Sequence, residues 1–174
     1  LALLLESYEL NDDLPQTRRL LNNIAYTSAR FILPDASFVT FSSNSTTVAY
    51  GDGDDIVVLD IDSRAEIARL EGHSDTVVAG DFNFADTLFV SGSRDSDVIV
   101  WNTTTWLIER TLSDYGVPIS DVSFDNAGDR IAAVGDKSEV MVWNVNNSYN
   151  MSFIPFNNPF TCRYNWVYFL KNIC

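Results

Sequence analysis

The chain has 174 residues, 46% of them hydrophobic and 13% aromatic, which is enough for a domain with a real core and excludes a disordered tail. Eleven basic residues face twenty-four acidic ones, and the resulting formal charge of −13 repels phosphate backbones and anionic headgroups, so neither nucleic acid nor a membrane surface is expected as a ligand. The longest apolar runs, residues 1–5 and 166–170, fall far short of the ~20 residues of a spanning helix, and the two cysteines, Cys162 and Cys174, sit too near the end to staple a fold, which points to a reducing, cytoplasmic compartment.

Taken in order, the first segment, residues 1–30, is read as helical. Leu1, Leu4, Leu5 and Tyr8 recur at spacings of three and four, Asn11-Asp12-Asp13 breaks the run, and Pro15 opens a second run through Leu20, Leu21 and Ile24. The run Leu1–Leu5 lacks the basic leader and cleavage pattern of a secretion signal, and a first residue other than Met marks the chain as a piece of something longer.

From residue 31 the period changes from helical to alternating, and residues 31–154 are expected to hold three units of four short strands. The first has strands over 37–41, 46–50, 55–60 and 65–70; the second over 76–82, 87–92, 97–102 and 106–112; the third over 117–124, 129–134, 139–144 and 150–154. A common mark ties them together. Trp101-Asn102 is matched by Leu59-Asp60 forty-two residues earlier and by Trp143-Asn144 forty-two residues later. Phe82 and Phe124 close first strands, while Val58, Val100 and Val142 precede the mark, and all five are assigned to an inward, core-packing side of the sheets. Residues 155–174 lose the period and form an unpatterned, aromatic-rich tail.

These features resemble the WD-repeat β-propeller family, in which each blade is a four-stranded antiparallel sheet. The expected fold is therefore all-β with a short N-terminal helical segment, and about three four-stranded WD-repeat blades of a partial β-propeller. The stretch LALLLESYELNDDLPQTRRLLNNIA also resembles the linker helices that precede the propeller in bacterial signal-transducing NTPases. That likeness implies an alternative role as a sensor or autoinhibitory propeller, with the catalytic domain upstream.

The central unit carries His73, Ser91, Asp95 and Trp101, a set that invites a Ser-His-Asp reading. In the WD-repeat family the same four positions form a buried hydrogen-bonded chain that fixes the blade, and a run of donors and acceptors of this kind satisfies every member. No Gly-x-Ser-x-Gly elbow is present to expose a nucleophile, so no enzyme activity is expected. The third unit has Tyr115, Ala133 and Lys137 at the His, Ser and Asp places; the first has Ala49, Gly53 and Leu59 at the Ser, Asp and Trp places. Both are expected to rely on apolar packing. Gly51 to Asp55 is rich in carboxylates but lacks the twelve-residue calcium loop with its closing Glu. A zinc site is excluded by one His and two terminal cysteines, no phosphate loop is present, and no cofactor or metal is expected. Four matches to the glycosylation pattern, at Asn44, Asn102, Asn146 and Asn150, are read as coincidence in an Asn- and Ser-rich chain.

Antiparallel strands place the second-to-third-strand turns and the connections between blades at one end. That end carries Asp52, Asp54, Asp55, Glu71, Asp75, Arg94, Asp114, Tyr115, Asp136 and Lys137: seven carboxylates, two cations and one aromatic. The resemblance implies a non-catalytic interaction scaffold, whose docking face of Asp52, Asp54, Asp75, Arg94, Tyr115 and Lys137 takes a basic or polar protein segment. Three blades leave two sheet ends open, so further blades or another chain are expected to close the ring.

Overall fold

The computed structural model describes residues 36–155 apart from Asp114 and Ser138, all within the unit Pro34–Cys174. The expected N-terminal helices and the segment after Pro155 lie outside the described residues. Twelve strands follow one another: β1 (Val39–Phe41), β2 (Thr47–Asp52), β3 (Asp55–Asp60), β4 (Glu66–Leu70), β5 (Val77–Phe82), β6 (Leu88–Ser93), β7 (Val98–Asn102), β8 (Ile108–Leu112), β9 (Ile119–Phe124), β10 (Arg130–Gly135), β11 (Glu139–Asn144) and β12 (Asn150–Pro155). They pair only with sequence neighbours, as three antiparallel four-stranded sheets, β1 to β4, β5 to β8 and β9 to β12. Each expected strand is found, shifted by no more than a few residues at its ends.

The turns explain why the chain reverses where it does. Ser42, Asn83 and Asp125 each follow a first strand, and each returns a backbone N–H to the start of the second strand, at Thr47, Leu88 and Arg130. Their side chains accept amides from the same turn: Asn83 Oδ1 from Thr87 and Leu88, Asp125 Oδ1 from Asp129 and Arg130, and Ser42 Oγ from Thr47. Short polar side chains that mimic a backbone acceptor make such turns. The mark has the same chemistry, because Asp60 Oδ1 accepts from Ser63 N–H and Asn102 Oδ1 from the amides of Thr104 and Thr105.

Packing is between sheets. One buried cluster joins the first sheet to the second through Ala49, Ile56, Val58, Leu70, Phe82, Phe89, Ile99 and Trp101. Another joins the second to the third through Val98, Val100, Leu112, Phe124, Ile131, Met141 and Trp143. Alternation along β7 thus sends Ile99 and Trp101 to one neighbour and Val98 and Val100 to the other. This corrects the assignment of Phe82 and Val100 to a single inward side. A blade packed between two others buries both faces, so both alternating sets are apolar. Val142, on the outer face of the last sheet, is only half-buried where Val58 and Val100 are fully buried.

Candidate functional site

His73 lies in the connection after β4, Ser91 on β6, Asp95 in the β6–β7 turn and Trp101 on β7. Ser91 is opposite Ile99 and two residues along from Phe89, whose partner is Trp101, so the hydroxyl and the indole share the face turned to the first blade. The Trp101 indole N–H donates to Ser91 Oγ at 2.8 Å, and Ser91 Oγ lies 2.8 Å from His73 Nε2. His73 Nδ1 is 2.9 Å from Asp95 Oδ2. A carboxylate only accepts, so Nδ1 carries the imidazole proton and Nε2 accepts from the serine hydroxyl. Every polar group in the chain of four is satisfied.

The environment holds this arrangement in one protonation state. Burial keeps His73 below the usual imidazole range and outweighs the opposite pull of Asp95. For Asp95 burial alone would raise the carboxyl, but the amides of Ser74 and Asp97 together with His73 hold it below the usual carboxylate range. Through Ser74 N–H, at 2.8 Å, Asp95 also pins the connection that carries the histidine.

The third blade departs from the expectation of purely apolar packing. Tyr115 fills the histidine place with its ring fully buried and donates its hydroxyl proton to the Glu139 carbonyl at 3.2 Å. Lys137, at the Asp95 place, donates to the Tyr115 backbone carbonyl and holds its ammonium 5.2 Å from the ring centroid. The clasp is the charge-inverted form of the central one: an anion on an N–H and an imidazole becomes a cation on a carbonyl and a ring face. Ala133 supplies no hydroxyl, so the buried Trp143 Nε1 has no hydrogen-bond partner. In the first blade Ala49 and Leu59 are buried and apolar, as expected, and Gly53 takes a left-handed φ of 70° in the turn.

The end of the molecule expected to dock a partner is assembled as the antiparallel order requires. Val77 N–H donates to the Gly53 carbonyl at 2.8 Å, Arg94 N–H to Thr76 at 3.0 Å, and Ser93 Oγ to Asp75 at 2.7 Å. Asp54, Glu71, Asp75, Arg94 and Asp136 are exposed there, and Lys137 is half-buried. Tyr115 is corrected: its ring is core, because it takes over the volume of the imidazole in the clasp. Asp114 lies outside the described residues. Arg69 was missed. It donates to Asp52 Oδ2 at 3.0 Å and to Asp55 Oδ2 at 3.2 Å, which raises its own pKa further, and it sits 3.6 Å from Glu66. Arg69 pairs with Val57, two residues from Asp55, so cross-strand diagonals were the signal that would have found it. Among the described residues no group of three or more His, Cys, Asp or Glu is placed to hold a metal ion, and no helix is long and apolar enough to cross a membrane.

Comparison with known proteins agrees with this geometry. Residues 64–102 match the family model "WD domain, G-beta repeat", a span that contains β4 of the first blade and β5 to β7 of the second. The chain is 26% identical over 111 residues to "p21-activated protein kinase-interacting protein 1-like" of Xenopus laevis, covering 63% of this chain and 30% of that protein. It is 32% identical over 92 residues to "Protein hir1" of Schizosaccharomyces pombe, covering 52% of this chain and 10% of that one. The chain thus spans less than a third of either relative. The crystal structure of the RRP9 WD40 repeats superposes with a TM-score of 0.66 at 15% identity, over 70% of this chain and 38% of that chain, a likeness of fold. Residues 64–102 are therefore similar to a WD repeat, and the three sheets have the form of blades in a partial WD-repeat propeller.

Proposed function

We propose that the chain is a non-catalytic interaction scaffold, and that the end bearing the second-to-third-strand turns and the blade connections takes a basic segment of a partner protein. The observation that carries the reading is the state of the central clasp. Ser91 and the His73 side chain have no exposed surface, and the Ser91 oxygen already accepts the Trp101 N–H. A nucleophile needs access to its substrate, and this serine, fully buried and engaged by the indole, has none. Apart from Arg94 and the half-buried Lys137, the charged groups exposed on that end are carboxylates. Asp54, Glu71, Asp75 and Asp136 stand free of Arg69, whereas Asp52 and Asp55 are held by it.

One of the relatives is named for interaction with a kinase, which accords with a scaffold role, and the charge of −13 favours a cationic partner over a polyanion. The test is binding of a short Arg- and Lys-rich peptide, followed by calorimetry as a function of salt. Asp54→Asn with Asp75→Asn should weaken binding several-fold, and Asp52→Asn should weaken it less because that carboxylate already has a cation. Binding unchanged in the triple variant would overturn the proposal.

A further inference from the structure

The first-to-second-strand and third-to-fourth-strand turns emerge at the end of the molecule opposite the one that carries Asp54 and Asp75. At the central blade that end is apolar. Phe84, in the β5–β6 turn, is 76% exposed and Leu107, in the β7–β8 turn, is 68% exposed, the two highest values among the large hydrophobic side chains of the described residues. The two turns are tied together, because Thr103 N–H donates to the Thr87 carbonyl at 3.2 Å and Thr103 Oγ1 donates to the Asp86 carbonyl at 2.6 Å. Trp106, beside Leu107, sets its half-buried ring edge-on to Phe82, with centroids 6.4 Å apart. The repeat shows that the fold does not require the two exposed side chains. Phe84 follows Asn83 as Ser43 follows Ser42 and Asn126 follows Asp125, so the same place is polar in the other two blades. The Leu107 carbonyl accepts from Asn102 N–H as the Ala65 carbonyl accepts from Asp60 N–H, so the first blade has only a methyl group there. Tyr149, forty-two residues after Leu107, is half-buried, with Arg110 over its ring and its hydroxyl on Glu109. Blades stack through their sheet faces, and both faces of the second sheet are already packed by the first and third, so blade-to-blade packing does not reach this end.

We propose that Phe84 and Leu107, flanked by Trp106, form a second protein-binding site, whose occupant is a segment of a partner protein that presents a large apolar side chain next to Lys or Arg. The apolar part of that chemistry follows from the two exposed side chains, since aromatic and aliphatic groups of this kind anchor an interface whose rim is polar. The cationic part follows from charge. The turns at this end carry Asp62, Asp86, Asp125 and Asp129 against Arg64, and Asp62 and Asp129 are exposed. The formal charge of −13 acts in the same direction, so a basic segment is drawn to the patch while an anionic lipid surface or a nucleic acid is repelled. No residue of this site belongs to the docking end described above, and the inference does not rest on that reading.

The experiment is selection of a random display library of short peptides on the full chain, with the Phe84→Ser chain used to remove binders of every other surface, the docking end included. Enriched sequences should carry Leu, Phe or another large apolar residue next to Lys or Arg. Their affinity, followed by fluorescence anisotropy, should weaken on the order of tenfold in Phe84→Ser and in Leu107→Ala, each of which installs the residue of the first blade, and it should weaken with added salt. Both side chains are exposed, so the melting temperature of the two variants should equal that of the unsubstituted chain. Selection that enriches nothing specific to the unsubstituted chain, enriched peptides without basic residues, or an affinity unmoved in either variant would overturn the proposal. So would a melting temperature lowered in both variants, because the chain would then cover the patch with its own residues.

Discussion

At the residue level, one hydroxyl separates a satisfied blade from an unsatisfied one. Ser91 Oγ serves both the Trp101 indole and His73, whereas Ala133 leaves Trp143 Nε1 unpaired in the equivalent place. Ser91→Ala should therefore cost about 2–3 kcal/mol, since it orphans two buried groups. Ala133→Ser should stabilise the protein by about 1 kcal/mol by giving the Trp143 indole an acceptor. Chemical denaturation of both variants measures the pair, and a destabilised Ala133→Ser would show that the pocket has no room for the oxygen. The pH dependence has a definite sign. His73 is the one histidine of the chain, and its folded pKa lies below the ordinary value of about 6.5. Neutral imidazole is therefore the folded form, and its contribution is complete above pH ~6.5 and is lost as pH falls toward the folded pKa. Asp95 adds a second loss, which begins near the ordinary carboxylate value of ~3.9 and runs down through its own depressed pKa. Melting temperature should accordingly fall between pH 7 and pH 5, and His73→Gln should flatten that part of the profile.

Among the elements, the turns repeat more faithfully than the residues that make them. Left-handed φ values recur at Ser45, Asp86 and Gly128 after the first strands, at 60°, 53° and 73°, each with its N–H on the residue three before. They recur again at Arg64, Trp106 and Ser148, spaced by forty-two residues, at 61°, 55° and 50°. Only one of these six positions is glycine, so the conformation is imposed by the strands on either side and by the capping side chains rather than by intrinsic preference. Non-glycine residues in this region carry a cost, and Ser45→Gly should relieve up to about 1 kcal/mol of it. Asp86→Gly at the equivalent position should instead destabilise by about 1 kcal/mol, because the Asp86 carboxylate accepts the amides of Ser43 at 2.7 Å and Asn44 at 2.9 Å from the neighbouring blade. Thermal melts of the two variants should move in opposite directions.

For the whole array, stability is a sum of blades and the junctions between them, as in other repeat proteins. Among the described residues, the second blade has a neighbouring sheet on each face and carries the complete clasp, whereas the first and third each have one neighbouring sheet. Hydrogen exchange should therefore be slowest in β6 and β7 and faster in β1 and β12, with β10 and β11 between them. Uniform protection across the three sheets would mean that the array opens only as one unit.

Much of this architecture was legible in the amino-acid order, for a physical reason. Strand alternation, turn residues and a constant period are local properties, so the twelve strands and the three-unit grouping could be assigned from residue type and spacing, whereas the roles of His73, Ser91, Asp95 and Trp101 followed from the resemblance to the WD-repeat family. Which face of a strand meets which neighbour is not local. Tertiary structure alone decided that Phe82 and Val100 point to opposite neighbours, that Tyr115 is core rather than surface, and that Lys137 takes over the place of Asp95 with inverted charge. It also decided that Arg69 pairs with Asp52 and Asp55, two of the carboxylates at the end with the second-to-third-strand turns. Each of these depends on groups brought together from distant positions in the chain, where burial, Coulomb attraction and hydrogen-bond geometry act through space and leave no periodic trace in the sequence.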